Sequence, residues 1–306
     1  MGREKYLGKR SVAANASIAA QRNDILSENS SFLTMESYKT LRTNVNFALA
    51  DTAGCKVIAM ASSMQSEGKS ISALNIAISF AEAGNRVLAV DCDLRRPKLA
   101  RLVGISSVNG LTDLLIRPEI ESEAIHNYRP NLDVLLSGRI PPNPSELLGS
   151  ARMENLVKSL RDKYDYIIID TPPVNVVTDT AVLSKWTDGI LFVVRAGQTE
   201  RGAVAHALDQ MNYAKARVLG FVLNGVNTES TAYSKYRYKR YGRYGRYGRY
   251  GYGRYGYFQQ RDGGYGGYGY GYGYGYGYGN GKDADRYGKQ EAFDAVRDYP
   301  PTGEQK

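Results

Sequence analysis

At 306 residues the chain is long enough for one large domain or two small ones, and its composition changes sharply near residue 229. Its formal net charge is +9, but the stretch from Tyr233 onward holds 14 Lys or Arg against 7 Asp or Glu and so carries +7 of it. The basic character is therefore no evidence that the preceding part binds nucleic acid. We predict a flexible arm at residues 1–30, one folded domain at 31–228 and a disordered tail at 229–306.

Several classes of protein are excluded by what the sequence lacks. The two cysteines, Cys55 and Cys92, make no disulfide framework, and neither has the neighbours of a metal site. No apolar run approaches the length of about 18 residues that a membrane span needs, and the N-terminus lacks the apolar stretch of a signal peptide. We therefore expect a cytoplasmic protein with reduced thiols.

Apolar periodicity predicts a helix at 35–50, followed by strands that alternate with helices. Several strands are continuously apolar, which is typical of a parallel sheet covered by helices on both faces. The sequence therefore predicts an α/β fold, a doubly wound and mostly parallel sheet with its ligand at the carboxyl ends of the strands. The predicted strands are 56–62, 86–91, 131–137, 165–170, 189–195 and 218–224, and the later helices are 69–83, 151–163, 178–185 and 199–214.

The loop after the first strand reads SSMQSEGKS (62–70) and leads into a helix, so its backbone N–H groups can surround phosphate oxygens. Lys69 would reach the β- and γ-phosphates, and the Ser70 hydroxyl would bind Mg²⁺. The usual pattern has Gly where this chain has Ser63, and a surface Gly-Lys-Ser turn is the alternative. The predicted nucleotide-binding residues of this loop are Ser66, Glu67, Gly68, Lys69, Ser70 and Ile71.

Carboxylates stand at the ends of two later strands. Asp91 and Asp93, in VLAVDCDLRRP (87–97), are two residues apart and can hold a hard cation through oxygen. The alternative is a helix-capping aspartate plus a solvated loop charge. Asp170, in YIIIDTPP (166–173), ends an apolar strand, where a lone carboxylate has little reason to stand unless it meets metal or water. The three motifs together predict an ATP site, with Mg²⁺ bound by Ser70, Asp91, Asp93 and Asp170.

These motifs resemble those of the bacterial tyrosine kinases, or BY-kinases, that govern capsule and exopolysaccharide production. VLAVDCDLRRP and DYIIIDTPP are close to a signature of that family. LLSGRIPPNPSELLGS (135–150), ESYKTLRTN (36–44) and the C-terminal tyrosine cluster are also similar to it. The resemblance covers approximately residues 30–230 and implies a P-loop NTPase fold with ATP- and Mg²⁺-dependent protein-tyrosine kinase activity.

The resemblance also implies roles for single residues. Lys69, Asp91, Asp93 and Asp170 become the catalytic set, with Asp91 either at the metal or acting as base toward the incoming phenol. A carboxylate is a poor equilibrium base for a phenol of pKa about 10, so the metal role is favoured for Asp91. Asn224 follows the last core strand and would contact adenine by the same resemblance, and an ordinary turn asparagine is the alternative.

The chain departs from the family pattern at two places. Family loops commonly read Pro-Gly where this chain has Gln65 and Ser66, and losing that Gly removes freedom to adopt a positive φ. The family assembly motif, Glu-x-x-Arg-x-x-Arg, reads Glu36, Lys39 and Arg42 here. Since Lys cannot form the planar bidentate pair that Arg forms, we expect a weaker ring assembly through this helix, and an ordinary amphipathic helix is the alternative.

The tail holds 19 of the 25 tyrosines, in YGR and then YG repeats. Such a stretch has no core to bury, so it should stay accessible, as a kinase substrate must. The rival reading is a basic aromatic segment that stacks on single-stranded RNA or binds anionic membrane. We expect phosphorylation between neighbouring subunits, because a site cannot easily be filled by its own nearest tyrosines. The predicted acceptors are Tyr233, Tyr236, Tyr238, Tyr241, Tyr244, Tyr247 and Tyr250.

Partners follow from the resemblance alone. It implies a membrane polysaccharide co-polymerase as activator, a homo-oligomeric ring, a cognate tyrosine phosphatase, and enzymes of polysaccharide synthesis as substrates. Nucleic acid is not expected. Because the sequence shows no membrane span, we expect the separate cytoplasmic type, held peripherally at the inner face of the plasma membrane, and a domain cut out of a longer protein is the alternative.

Two other functions fit parts of the sequence. A positioning ATPase of the septum- or plasmid-partitioning kind shares the fold and uses ATP to switch dimerisation. Those proteins carry an extra lysine early in the phosphate loop, where this chain has Ser63, Met64 and Gln65, and they have no tyrosine tail. A scaffold that binds nucleic acid or membrane would depend on the basic aromatic tail alone.

Overall fold

A computed structural model describes residues 21–226 of the chain. The strands are β1 (Lys56–Ser62), β2 (Val87–Asp91), β3 (Ile125–Arg129), β4 (Leu132–Leu135), β5 (Tyr166–Asp170), β6 (Gly189–Arg195) and β7 (Val218–Asn224). They form one sheet in the order β3-β4-β2-β5-β1-β6-β7, in which β3 runs antiparallel to β4 and the other neighbours are parallel. The mostly parallel α/β fold predicted from the sequence is confirmed.

Helices cover both faces of this sheet. Val45 and Leu74 belong to the core on one face, while Val157 and Met211 belong to the core on the other. Among the described residues, no helix is both long and apolar enough to pass through a membrane. The α-helices are α1 (Phe32–Ala48), α2 (Lys69–Glu82), α3 (Leu99–Val103), α4 (Leu111–Ile116), α5 (Glu121–Ala124), α6 (Pro144–Leu148), α7 (Ala151–Arg161), α8 (Asp179–Leu183) and α9 (Arg201–Tyr213), with 3₁₀ turns at Pro118–Ile120 and Ser184–Trp186.

Parallel pairing brings the motif-bearing strand ends to one edge of the sheet. β5 lies between β1 and β2, so Asp170 is the register partner of both Met60 and Asp91. α2 packs against β5, β2 and β1, and most of its residues are buried. The phosphate loop (residues 62–70), which precedes α2, is therefore carried to the ends of β5 and β2.

The edge strand β3 was absent from the prediction. Its sequence, IHNYR, is polar, and its pairing with β4 is interrupted by an irregularity between Asn127 and Arg129. The predicted strand 131–137 is shorter in the structure, ending at Leu135. A half-exposed strand at the edge of a sheet needs no apolar run, so hydrophobic periodicity does not reveal it.

The predicted flexible arm, 1–30, reaches too far into the folded domain. Ile25 and Leu26 are buried, with 5% and 3% of their surfaces exposed. The Leu26 backbone donates to Asn75 Oδ1 at 2.8 Å and accepts from Arg129 Nη1 at 2.8 Å. The part of the arm near these residues is thus packed on the domain, because the side chains of Ile25 and Leu26 are buried in the core beside α2. Residues 1–20 and the predicted tail lie outside the described residues.

Candidate active site

The phosphate loop turns at two residues with positive φ. Ser66 has φ +66° and Gly68 has φ +92°. The first intrahelical hydrogen bond after the loop runs from Ser72 N to Gly68 O, at 2.9 Å. The N–H groups of residues 66–71 precede that bond and so have no helical partner. Together with the positive end of the helix dipole, they are the donors that this loop offers to phosphate oxygens.

Lys69 and Asp170, predicted to converge, form a buried ion pair. Lys69 Nζ lies 2.6 Å from Asp170 Oδ1, and the two side chains are 7% and 0% exposed. The other carboxylate oxygen, Asp170 Oδ2, is buried and has no hydrogen-bond partner among the described residues. Because a buried oxygen without a donor is costly, this atom is suited to a cation or to a water bound to one.

Asp91 lies beside Asp170 on the neighbouring strand. Its Oδ2 accepts from the N–H groups of Lys98 (3.0 Å) and Leu99 (2.9 Å) at the start of α3, and its Oδ1 accepts from Asp93 N (3.2 Å). Burial, reinforced by the charge of Asp170, raises the pKa of Asp91 to about 7. In the structure Asp91 therefore acts as a helix cap, which was the alternative for one of these carboxylates.

Asp93 is the second carboxylate of the pair and is 6% exposed. Its Oδ1 accepts from Arg96 N at 3.0 Å, which closes a tight turn after β2. Burial raises the pKa of Asp93, while the positive charge of Lys69 opposes that rise. The pairing of Lys69 with Asp170 and the register of Asp170 with Asp91 bring these groups together at the ends of β2 and β5.

The donor set fits Mg²⁺ held mainly by oxygens from outside the protein. Within residues 21–226, no group of three or more His, Cys, Asp or Glu side chains is arranged to hold a metal ion. Mg²⁺ commonly uses one or two carboxylates and completes its shell with water and substrate phosphates. Ser70, Asp93 and Asp170 fit that pattern, whereas Asp91, with both oxygens accepting from backbone, fits contact through water.

Glu67, predicted to bind nucleotide, turns its side chain into the protein and is 2% exposed. Its Oε1 accepts from Ser63 Oγ at 2.8 Å and from Thr199 Oγ1 at 2.6 Å, and its Oε2 accepts from Met64 N at 2.9 Å. The carboxylate thus ties the two arms of the phosphate loop together, and only the backbone N–H of Glu67 is left for a phosphate.

Asn224, predicted to meet adenine, holds the same loop. Its Nδ2 donates to Glu67 O at 2.9 Å, and its Oδ1 accepts from Gly225 N at 2.8 Å. A Cβ added at Gly68 would lie 1.9 Å from Asn224 Nδ2, so any larger residue there would displace the Asn224 amide. Since both polar atoms of the amide are engaged, the structure gives Asn224 a structural role and leaves the adenine contact a prediction.

The structure places further residues around the site that the sequence does not indicate. Asp179 is fully buried and pairs with Arg95 through two contacts, at 2.9 and 3.1 Å. Ser145 also donates to Asp179, so the group joins the loop after β2 to the starts of α6 and α8. Arg95 and Ser145 both lie in motifs that were recognised, but their partner, Asp179, carried no signal of its own.

Comparison with known proteins agrees with this geometry. The AAA domain family model matches residues 55–215. The tyrosine-protein kinase YwqD of Bacillus subtilis is 38% identical over 206 residues, which is 67% of this chain and 86% of that protein. The chain belongs to the bacterial tyrosine-protein kinase family.

Members of this family differ in length. The tyrosine-protein kinase ptk of Acinetobacter johnsonii is 35% identical over 207 residues, which is 67% of this chain but 28% of that protein. Among solved structures, the kinase domain of the Escherichia coli tyrosine kinase ETK is similar with a TM-score of 0.62 and 30% identity, covering 65% of this chain and 78% of that one. The same domain therefore occurs in chains of very different length.

The predicted assembly residues lie on α1. Glu36 and Lys39 form an exposed ion pair of 2.7 Å within the helix. Arg42 instead turns toward α2, where its Nη1 donates to the Ser79 carbonyl. The three side chains are therefore partly engaged inside the chain, and their role in assembly stays a prediction. The predicted acceptor tyrosines, from Tyr233 onward, lie outside the described residues.

Proposed function

We propose that this chain is an ATP- and Mg²⁺-dependent protein-tyrosine kinase that phosphorylates its own C-terminal tyrosines. The observation that carries the proposal is the buried Lys69–Asp170 pair, 2.6 Å long, at the N-terminus of α2. Membership of the tyrosine-protein kinase family and the 19 tyrosines from Tyr233 onward support tyrosine as the acceptor. Phosphoryl transfer needs positioning and charge neutralisation more than covalent chemistry, and this site offers both.

Each residue has a distinct task in this proposal. Lys69 holds a positive charge where negative charge develops on the transferred phosphoryl group, and the N–H groups of residues 66–71 hold the phosphates. Ser70, Asp93 and Asp170 would hold Mg²⁺, which would neutralise charge on the phosphate oxygens. Asp91 fixes the start of α3 and the turn that carries Asp93. The base role for Asp91 is less favoured, because its oxygens already accept three backbone N–H groups.

The position of β7 supports exchange of tails between subunits. Asn224 ends β7 and donates directly to the phosphate loop, so the chain leaves the sheet beside the site. Tyr233 follows nine residues later, and we expect the tyrosines nearest to β7 to fill the site of their own subunit less easily than the site of a neighbour. We therefore propose that tyrosines of one subunit serve the site of its neighbour in a homo-oligomer.

The cellular setting is proposed from the family. A membrane polysaccharide co-polymerase would activate the kinase and hold it at the inner face of the plasma membrane. Enzymes of capsule or exopolysaccharide synthesis would be its substrates, and a cognate tyrosine phosphatase would reverse the modification. The basic block at residues 233–261, with nine Lys or Arg and no acid, would bind anionic lipid until phosphates neutralise it.

A mixing experiment tests the central proposal. The acceptor chain carries Lys69→Met with Asp170→Asn, so that no unpaired buried charge remains, and the donor chain lacks residues 229–306. Labelled ATP and Mg²⁺ are added to each chain alone and to the mixture. We expect alkali-stable label on the acceptor tail only in the mixture.

Three results would count against parts of the proposal. Label confined to full-length wild-type chains would show phosphorylation within one subunit. Release of free phosphate without labelled protein, even from wild type, would instead support the positioning ATPase. Wild type that binds no ATP in a calorimetric titration would refute the kinase altogether.

A further inference from the structure

The phosphate loop is held from one side by the segment between β6 and α9. Arg195, the last residue of β6, donates from Nη1 to Ser66 O at 3.0 Å. The Arg195 backbone N–H donates to Thr199 Oγ1 at 2.8 Å, and Thr199 Oγ1 donates in turn to Glu67 Oε1 at 2.6 Å. A continuous chain of hydrogen bonds thus runs from the end of β6 to the buried carboxylate inside the loop.

These contacts reach the part of the loop whose backbone conformation is the least favourable. Ser66 has a Cβ and nevertheless adopts φ +66°, a left-handed conformation that favours glycine. Its carbonyl is the atom that Arg195 binds, and the next residue, Glu67, is the one that Thr199 binds. Residues held in such conformations persist when the surrounding structure determines them strongly.

We propose that Thr199 and Arg195 are positioning residues that keep the phosphate loop in the shape that binds phosphates. The inference rests on the proposed function, in which residues 66–71 hold the phosphates of ATP. Neither residue belongs to the phosphate-loop motif, and the hydrogen bonds that link them to the site run to Ser66 and Glu67 of the loop. Their contribution is to fix the directions of the N–H groups of residues 66–71.

Matched variants in the segment between β6 and α9 test the proposal in the full-length chain. Thr199→Val removes the hydroxyl at almost constant volume, Thr199→Ser keeps it, and Gln198→Ala changes a neighbouring exposed side chain as a control. The dissociation constants of Mg²⁺–ATP and of Mg²⁺–tripolyphosphate are measured by calorimetry. We expect Thr199→Val to weaken both ligands about tenfold, which is about 1.4 kcal/mol, while Thr199→Ser and Gln198→Ala stay within about twofold of wild type.

Tripolyphosphate has no adenosine, so comparing it with ATP distinguishes an effect on the shape of the loop from a lost contact with the adenosine of ATP. If Thr199→Val weakened ATP alone, Thr199 would be a contact for adenosine, and the proposal would be wrong. Binding of both ligands within twofold of wild type would also overturn it. Wild type that binds both ligands but labels no tyrosine would refute the proposed kinase and leave the positioning role to be decided by the same titrations.

A second variant pair remains informative if Thr199→Val does not fold. Arg195 has an exposed side chain, so Arg195→Ala should fold normally. Arg195→Ala is compared in the wild-type background and in the Ser66→Gly background, where glycine tolerates the positive φ. We expect it to weaken tripolyphosphate binding several-fold in the first and less than twofold in the second, a non-additivity that reports coupling between the two positions. Equal losses in both backgrounds would contradict the proposal.

Discussion

Gly68→Ala is predicted to destabilise the protein by more than its backbone angle alone would cause. Gly68 adopts φ +92°, and a Cβ there would lie 1.9 Å from Asn224 Nδ2. The left-handed backbone costs an alanine about 1 kcal/mol. Moving the Asn224 side chain away breaks its 2.9 Å hydrogen bond to Glu67 O, which adds about 1–2 kcal/mol because a part-buried carbonyl loses its donor. The total is about 2–3 kcal/mol.

Gly84→Ala is the matched control. Gly84 has a similar φ, +86°, but a Cβ built there meets no atom within 4 Å, so only the backbone cost of about 1 kcal/mol remains. Unfolding in urea measures both variants, and their difference isolates the displacement of Asn224. Asn224→Ala should remove most of the additional cost in a Gly68→Ala double variant. Equal destabilisation by Gly68→Ala and Gly84→Ala would refute the reasoning and show that the asparagine moves freely.

Three further predictions concern buried groups. Lys69→Met alone should lower the free energy of unfolding by about 3–5 kcal/mol, because it leaves the fully buried Asp170 unpaired. Adding Asp170→Asn should restore most of the lost stability without restoring phosphorylation. Burial raises the pKa of Asp91 to about 7, so the unfolded chain loses this proton at lower pH than the folded one. Without Mg²⁺, stability should fall from about pH 4 to pH 7 by about 4 kcal/mol more in wild type than in Asp91→Asn, as measured by urea unfolding across pH. Leu26→Ala should cost about 2–4 kcal/mol in the same assay, and a change below about 0.5 kcal/mol would mean that this segment is not packed on the core.

The fold was predictable because its central strands are continuously apolar. The bounds predicted for β1, β6 and β7 coincide with those of the structure, since charged or turn residues flank each apolar run. β3 was missed because it has one partner and a polar sequence, IHNYR. The packing of Ile25 and Leu26 was missed because two apolar residues make no periodic pattern, and their burial depends on Asn75 and Arg129, which lie far along the chain.

The part of the site that could be predicted is the part fixed by the positions of parallel strand ends. The ends of β1, β2 and β5 must lie together in such a sheet, so the meeting of Lys69 with Asp170 followed from their positions. The direction of each side chain did not follow. Asp91 and Glu67 carry the residue types expected of a metal ligand and of a phosphate loop, yet both carboxylates accept hydrogen bonds from the protein itself. A sequence motif fixes where the backbone goes, whereas the use of a carboxylate depends on which N–H groups the fold brings to it.

Gln65 and Ser66, where the phosphate loop departs from the family pattern, each have a hydrogen-bond partner outside the loop. Gln65 and Ser66 stand where the family resemblance leads us to expect Pro-Gly. Each accepts a hydrogen bond from an arginine, one in the turn after β2 and one at the end of β6. Arg96 Nη1 donates to Gln65 Oε1 at 2.9 Å, and Arg195 Nη1 donates to Ser66 O at 3.0 Å. A loop that cannot rely on glycine for its turn can still keep that turn if both sides are fixed from outside, because the strain is then opposed by several contacts. In the proposed arrangement, the shape of the loop is controlled from the turn after β2 and from the end of β6 as well as by the loop itself.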